Sequence, residues 1–356
     1  PEPRTLAAVV HRWRGLRSDV VAVSSTRTLR APGTETGIET PSTFLRPNAS
    51  VATFHQSLNV PRESIFGRSL PVSRPRFFSR ESVFLAAALT ALSAGCASAP
   101  GARPNLDATL WVQTAAEYDA VALSVYVAAL GELPALLADS ARSAVLEQVG
   151  DFSALPPAVI LDVDETVLDN SPYQARLLVS GDSYSSDSWA AWVDERIAEP
   201  VPGALEFTTG ADALGITVFY VTNRRAHQEQ ATRDNLESLG FPLRSDIDVI
   251  LTRGEKPDWN RPKSGRRRVV AGTHRVVMLV GDDLNDFVDV EGLTVAGRDE
   301  VARQHTGYWG HRWRMLPNPT YGSWERALFD SDYGLDPSER TDRKAEHLEP
   351  RGENHE

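Results

Sequence analysis

The chain has 356 residues with 37 basic and 48 acidic side chains, a formal charge of −11, and so lacks the basic balance with which a protein holds a nucleic-acid polymer. Its 41% hydrophobic content and eight tryptophans are enough for a large core, and its single cysteine excludes an intramolecular disulfide. The charge is uneven: residues 1–95 carry twelve arginines, no lysine and six acids, so the negative excess lies in the rest.

Residues 1–70 are rich in Arg, Ser, Thr and Pro without sustained periodicity, and begin on Pro1. We read them as a disordered extension or as translation from upstream of the true start. Residues 71–95 follow the pattern of an export signal, with Arg74, Arg76 and Arg80 before an apolar run from Val83 to Ala94. The run closes on Leu92-Ser93-Ala94-Gly95-Cys96, which resembles a bacterial lipobox. Cys96 is then the expected lipidation point, and the mature chain is anchored to the cell envelope through it. Ala97 stands where an aspartate would signal inner-membrane retention, so an outer-membrane lipoprotein is expected if the host is Gram-negative. Residues 96–104 read as a flexible tether. No uninterrupted stretch reaches the roughly 18 apolar residues of a spanning helix.

From 105 to 150 the chain reads as accessory helices. Trp111, Ala115, Tyr118, Ala122, Val125 and Ala129 recur at spacings of four and three, which predicts an amphipathic helix. Gly131 is expected to end it, and Leu133, Leu136, Leu137, Ala141, Ala144 and Val145 predict a second. Their apolar faces must dock on the residues downstream of 150.

The stretch 155–300 reads as a catalytic core. Val159-Ile160-Leu161 is a short apolar strand that ends in Asp162-Val163-Asp164-Glu165-Thr166. Side chains two apart on a strand project the same way, and two crowded carboxylates repel unless a cation or a shared proton relieves them. Ile216–Val221 predicts a second strand, ended by Thr222-Asn223-Arg224, and a helix comes next from about Gln228 to Leu239, closed by Gly240. Ile247–Leu251 and Val276–Val280 predict two more strands, the last ended by Gly281-Asp282-Asp283-Leu284-Asn285-Asp286. Apolar strands separated by helices predict an α/β fold, a parallel sheet with helices on both faces, and place functional residues at the carboxyl ends of the strands. Residues 171–202 are expected as a smaller, mainly helical cap insertion over those ends, and 305–330 as a substrate-side segment. The charged tail, 331–356, has no apolar periodicity and reads as disordered.

D-x-D-E-T, a strand ending in T-N-R, a lysine, and G-D-D-x-x-D together resemble the haloacid dehalogenase (HAD) superfamily, whose core is a Rossmann-like sheet. More narrowly, residues 105–330 are similar to the class C (subfamily IIIB) acid phosphatases, bacterial lipoproteins that act on nucleoside monophosphates. Further matching residues are Tyr173, Trp189, Trp192, Pro202-Gly203-Ala204, Asn235-Leu236, Lys263 to Arg267, and Leu316 to Glu325.

The resemblance implies a phosphoric monoester hydrolase. Asp162 would be the nucleophile, forming an aspartyl-phosphate. Asp164 would be the general acid–base, its pKa held up by neighbouring negative charge or low pH. Thr222 would donate to a phosphoryl oxygen, and Lys263 would hold both the nucleophile and the transferring group, with Lys256 as the alternative lysine. Mg²⁺ would be held by Asp162, Asp282 and the Asp164 carbonyl, with Asp286 as a further acidic group. Asp283 and Asn285 nearly exchange the residues usual in the family, so either Asp283 or Asp286 could accompany Asp282.

Substrate choice is expected from Asn223 and from aromatic faces that stack a nucleobase: Trp189, Trp192, Tyr321 and Tyr173. The expected substrates are nucleoside 5′-monophosphates, making the chain a 5′-nucleotidase. Two alternatives stay open: a HAD phosphatase for sugar or other small phosphates, and a surface lipoprotein that has lost activity and binds a ligand.

Overall fold

A computed structural model of the chain describes residues 105–332 and 334–351. The amino-terminal extension, the export signal, the tether and Cys96 lie outside the described residues.

Five parallel strands form the sheet: β1 (Pro157–Leu161), β4 (Thr217–Arg225), β5 (Ile250–Arg253), β6 (Arg275–Gly281) and β7 (Trp313–Met315). They lie side by side in the order β5-β4-β1-β6-β7. In β1 and β6 nearly every residue is buried, as expected where helices cover both faces of a parallel sheet. β1 pairs with β4 from Ala158↔Thr217 to Leu161↔Tyr220 and with β6 through Leu161↔Val280. This register brings the ends of β1 and β6 level, while β4 runs past Tyr220 to carry Thr222 and Arg224 beyond them.

The crossover helices are α5 (Ala204–Ala213), α6 (Glu229–Leu239), α7 (Ser264–Ala271) and α8 (Val295–Gln304). Gly240, in the left-handed region at φ 85°, ends α6 as the sequence predicts. The loop after β1 opens into a two-stranded antiparallel ribbon, β2 (Leu168–Asp169) and β3 (Glu199–Pro200), joined in register through Leu168↔Pro200. Between them lie α3 (Ser171–Ser180) and α4 (Ser186–Glu195), so the 171–202 insertion is a helical cap rooted in the catalytic loop.

The accessory helices divide differently from the expectation. α1 (Leu106–Thr114) ends at Ala115, whose extended backbone separates it from α2 (Ala116–Ala138). α2 runs straight through Gly131 because its buried stripe, Tyr118, Ala122, Tyr126, Ala129, Leu133 and Leu136, continues past that glycine. A mid-helix glycine costs only about 1 kcal/mol, which this burial offsets. Residues 141–145 are turns rather than a second helix. By length and apolar composition α2 could cross a membrane, yet its buried stripe packs on α5 and β6. Close packing needs small residues: a Cβ at Gly210 of α5 would lie 2.7 Å from Leu130. Arg275 secures the end of α2, donating to the carbonyls of Leu136, Leu137 and Asp139, which lack helical partners.

Two short helices close the chain, α9 (Ser323–Ala327) and α10 (Pro337–Ala345). The tail therefore departs from the expected disorder over 337–345. Asp336 accepts from the backbone of Ser338 and Glu339, and Glu339 returns a bond to the Asp336 N–H. This capping box starts a helix without an apolar face, and Lys344 fastens it to Glu325.

Candidate active site

The ends of β1, β4 and β6 meet beneath the cap. β1 delivers Asp162, whose N–H continues the ladder to the Val280 carbonyl at 3.0 Å. The chain then turns sharply: the N–H groups of Val167 and Leu168 both bond the Val163 carbonyl, and Glu165 adopts φ 56°. A non-glycine residue in that region is strained, and its surroundings hold it there. The Glu165 carboxylate is buried and accepts from the Asn170 backbone and side-chain amides and from the Tyr321 hydroxyl.

Lys263, at the amino end of α7, is buried with its Nζ 2.5 Å from Asp162 Oδ1 and 2.7 Å from Asp286 Oδ1. Lys256, the alternative lysine, instead lies over the Trp259 ring, 4.4 Å from its centre. Oxygens of Asp162, Asp282 and Asp286 all lie within 4.8 Å of one another. The Asp282 carboxylate takes bonds from Thr166 Oγ1 at 3.0 Å and Asn318 Nδ2 at 2.8 Å. Asp286 turns back over the strand end, its Oδ2 accepting from the N–H groups of Asp282 and Asp283. Gly281 permits that return, because a Cβ there would overlap the Asp286 carboxylate. Arg267 fixes the same loop from beneath, donating to the carbonyls of Asn285 and Asp286 and pairing with Glu147 at 2.8 Å.

The two residues exchanged against the family pattern are structural. Asp283 accepts from Ser323 N–H and Oγ and from Asn285 N–H. Burial raises its pKa, but those bonds win and hold it below the ordinary value. Asn285 Oδ1 accepts from Val290 N–H. Asp286, not Asp283, therefore completes the acidic group around Asp282.

Burial and mutual repulsion shape the electrostatics. Asp162 is pushed up to about 7, chiefly by burial; Lys263 opposes this, and Asp286 and Asp164 add to it. Burial, Asp286 and Asp162 raise Asp282 well above the carboxylate range, and burial also raises Asp286. Burial disfavours the Lys263 ammonium, but Asp162 and Asp286 outweigh it and raise its pKa. One buried and two partly buried carboxylates beside one ammonium leave an excess of negative charge that a hard divalent cation fits. The donor set, all oxygen and without His or Cys, suits such an ion.

Asp164 has a partner that its sequence neighbourhood does not announce. Besides its negative neighbours it faces the buried guanidinium of Arg224, with Nη2 at 2.8 Å and Nε at 2.9 Å from Oδ1. Asn170 Nδ2 adds a bond at 3.0 Å to the same oxygen. Arg224 was visible as the arginine of T-N-R, two residues past Thr222 and so on the same strand face. Thr222 is buried, its Oγ1 3.0 Å from Arg224 N–H. Asn223 points elsewhere: exposed at the strand end, it accepts from Arg266 at 2.9 Å.

The expected aromatic faces separate into two kinds. Tyr173 and Trp192 are each 2% exposed and form the interior of the cap, Trp192 donating from Nε1 to Asn170 Oδ1 at 2.8 Å. Neither has a face left for a base. Trp189 is partly exposed beside Tyr173, and Arg224 lies over its ring at 5.7 Å. Tyr321 is partly exposed, with its hydroxyl tied to Glu165.

Comparison with known proteins agrees with this arrangement. The family model "HAD superfamily, subfamily IIIB (Acid phosphatase)" matches residues 105–324. The structure of the class C acid phosphatase from Bacillus anthracis is 32% identical, with a TM-score of 0.62, and covers 70% of this chain and 98% of its own. A crystal structure of that protein with tungstate bound matches equally. Acid phosphatase 1 of Solanum lycopersicum is 29% identical over 165 residues, and the stem 31 kDa glycoprotein of Glycine max 23% over 163. Each aligned stretch is 46% of this chain, and the chain spans 57% and 58% of those two relatives. A parallel sheet with acidic strand ends and one buried lysine is the HAD arrangement. The chain belongs to subfamily IIIB of that superfamily, the acid phosphatases.

Proposed function

We propose that this chain is a Mg²⁺-dependent acid phosphatase that hydrolyses nucleoside 5′-monophosphates through an aspartyl-phosphate on Asp162. The observation that carries the reading is the Lys263 ammonium held 2.5 Å from Asp162 and 2.7 Å from Asp286. A partly buried carboxylate pinned by a cation is positioned to attack, and that cation also attracts the phosphoryl group.

Asp162 attacks phosphorus while Thr222 donates its hydroxyl to a phosphoryl oxygen. Asp164 protonates the departing alkoxide and then takes a proton from the water that releases phosphate. The bonds from Arg224 and Asn170 both end on Asp164 Oδ1, which orients the other oxygen toward the reaction. Asp162 and Asp282, with Asp286 behind them, would hold Mg²⁺. The ion supplies positive charge that lets an anionic nucleophile approach an anionic ester.

Trp189 and Tyr321 are the faces for a nucleobase, because each combines partial exposure with a fixed ring. Flat stacking tolerates any base, so specificity among nucleotides is broad. The lipobox sequence ending at Cys96 supports export and lipid anchoring at the cell envelope, and the outer membrane where the host has one. Nucleotides outside the cytoplasm would then lose phosphate there.

Phosphate release from nucleotides, sugar phosphates and an aryl phosphate, with Mg²⁺ or EDTA, tests the reading. Turnover that EDTA abolishes and Mg²⁺ restores, strongest on nucleotides, is expected. Absence of turnover on every ester would overturn it.

A further inference from the structure

Beside the catalytic strand ends lies an open cleft of about 720 Å³, walled by Arg225, Arg253, Arg261 and His227. Glu291 is the carboxylate in its wall, and none of the three arginines forms an ion pair among the described residues. Arg225 and Arg253 are cross-strand neighbours in register on β4 and β5. Like charges brought together across a ladder repel each other. Half-buried Arg253 has its pKa lowered by burial and then by Arg261 and Arg225. Three guanidiniums around the one carboxylate of Glu291 leave an excess of positive charge that suits a group with several anionic oxygens.

One buried arginine links the walls of the cleft to the active site. Arg266 is fully buried and bonds the carbonyl of Thr222, the side chain of Asn223, and the carbonyls of Asn260, Arg261 and Pro262. It thus ties the β4 end that carries Thr222 and Arg225 to the loop that carries Arg261 and Lys263.

We propose that the cleft is a second anion subsite of the catalytic pocket, in which Arg225, Arg253 and Arg261 hold the distal phosphate of substrates bearing two phosphoryl groups. The proposal rests on the phosphatase reading above and adds to it a preference for bisphosphorylated esters over monophosphates.

Steady-state kinetics with a nucleoside 5′-monophosphate, its 3′,5′-bisphosphate and an aryl phosphate test it, in the wild type, Arg253→Gln and the Arg225→Gln/Arg261→Gln double variant. A contact of roughly 1.5 kcal/mol or more to a charged group corresponds to about tenfold in kcat/KM. The wild type should prefer the bisphosphate by about tenfold, through KM, and less so at high salt. Both variants should bring the ratio near one while still turning over the aryl phosphate, which carries no second phosphate. A ratio near one in the wild type, or one unmoved by either variant, overturns the subsite while aryl phosphate turnover keeps the phosphatase reading. A free anion is the other source: sulfate altering aryl phosphate turnover non-competitively, with the ratio at one, also overturns the proposal. No turnover of any ester overturns both readings.

Discussion

Lys263 and Asp162 join the helical and sheet layers at the site, Nζ to Oδ1 at 2.5 Å. The lysine is contributed by the amino end of α7 and the aspartate by the end of β1, 101 residues apart. Removing the ammonium would leave partly buried Asp162 and buried Asp286 without their common partner.

Lys263→Met is therefore expected to lower kcat by about 10²–10³, the usual cost of deleting a donor aimed at developing charge. Lys263→Arg should not restore it, because a planar fork cannot replace a compact ammonium between two carboxylates. Rate measurements on soluble, folded variants check this. Activity retained within tenfold would remove Lys263 from the chemistry.

In the proposed mechanism Arg224 acts through Asp164, on the leaving-group side. Arg224→Met should reduce turnover of a nucleotide or alkyl phosphate by about 10²-fold, the scale of a misplaced general acid. An aryl phosphate leaves with little protonation and should lose much less. Equal losses on both esters would contradict a role through Asp164.

The aromatic residues are expected to divide by exposure. Trp192→Ala should cost about 3–5 kcal/mol of stability, as for a large core side chain, without changing the ratio of nucleotide to aryl phosphate turnover. Trp189→Ala and Tyr321→Ala should each weaken nucleotides by about 1–3 kcal/mol, the range for one base–aromatic stack. Melting curves beside KM values for the two esters separate these outcomes.

The raised Asp162 pKa gives the ion-free protein a defined pH dependence. Asp162 keeps its proton in the native state up to about 7, whereas the unfolded chain loses it near the ordinary carboxylate value of about 3.9. The native state then binds more protons than the unfolded one across that window, and stability falls as pH rises through it. This contribution is complete below the unfolded value and gone above about 7. Protein treated with EDTA should thus show a lower Tm at pH 7.5 than at pH 5. Mg²⁺ should lessen the difference, since a metal binds the ionised carboxylates and releases their protons. An ion-free Tm that rises over this range would contradict the account.

The strands and the residues at their ends were legible because buried parallel strands read as unbroken apolar runs, and polar residues stop them abruptly. Asp162, Thr222 and Asp282 could be placed on that ground. Long-range partners could not. Nothing local to Arg224 states that it will meet Asp164, sixty residues earlier. Nor does Asn318 show from its neighbours that it will bond Asp282. The break in the accessory helices moved to Ala115 because tertiary packing kept Gly131 helical. Trp192 and Tyr173 were expected as stacking faces from the family resemblance, and only the cap's packing shows their faces covered. The capping box at Asp336-Pro337-Ser338-Glu339 was a readable local signal, outweighed by the tail's lack of apolar periodicity.

The central claim is that phosphate passes through Asp162. Acid quench during turnover, then borohydride reduction and peptide mass analysis, reads it directly, since an aspartyl-phosphate is reduced to homoserine. The account predicts homoserine at position 162 in the wild type with substrate and Mg²⁺, none without substrate, and none with Asp162→Asn. Homoserine at another aspartate, or full activity in Asp162→Asn, would contradict it.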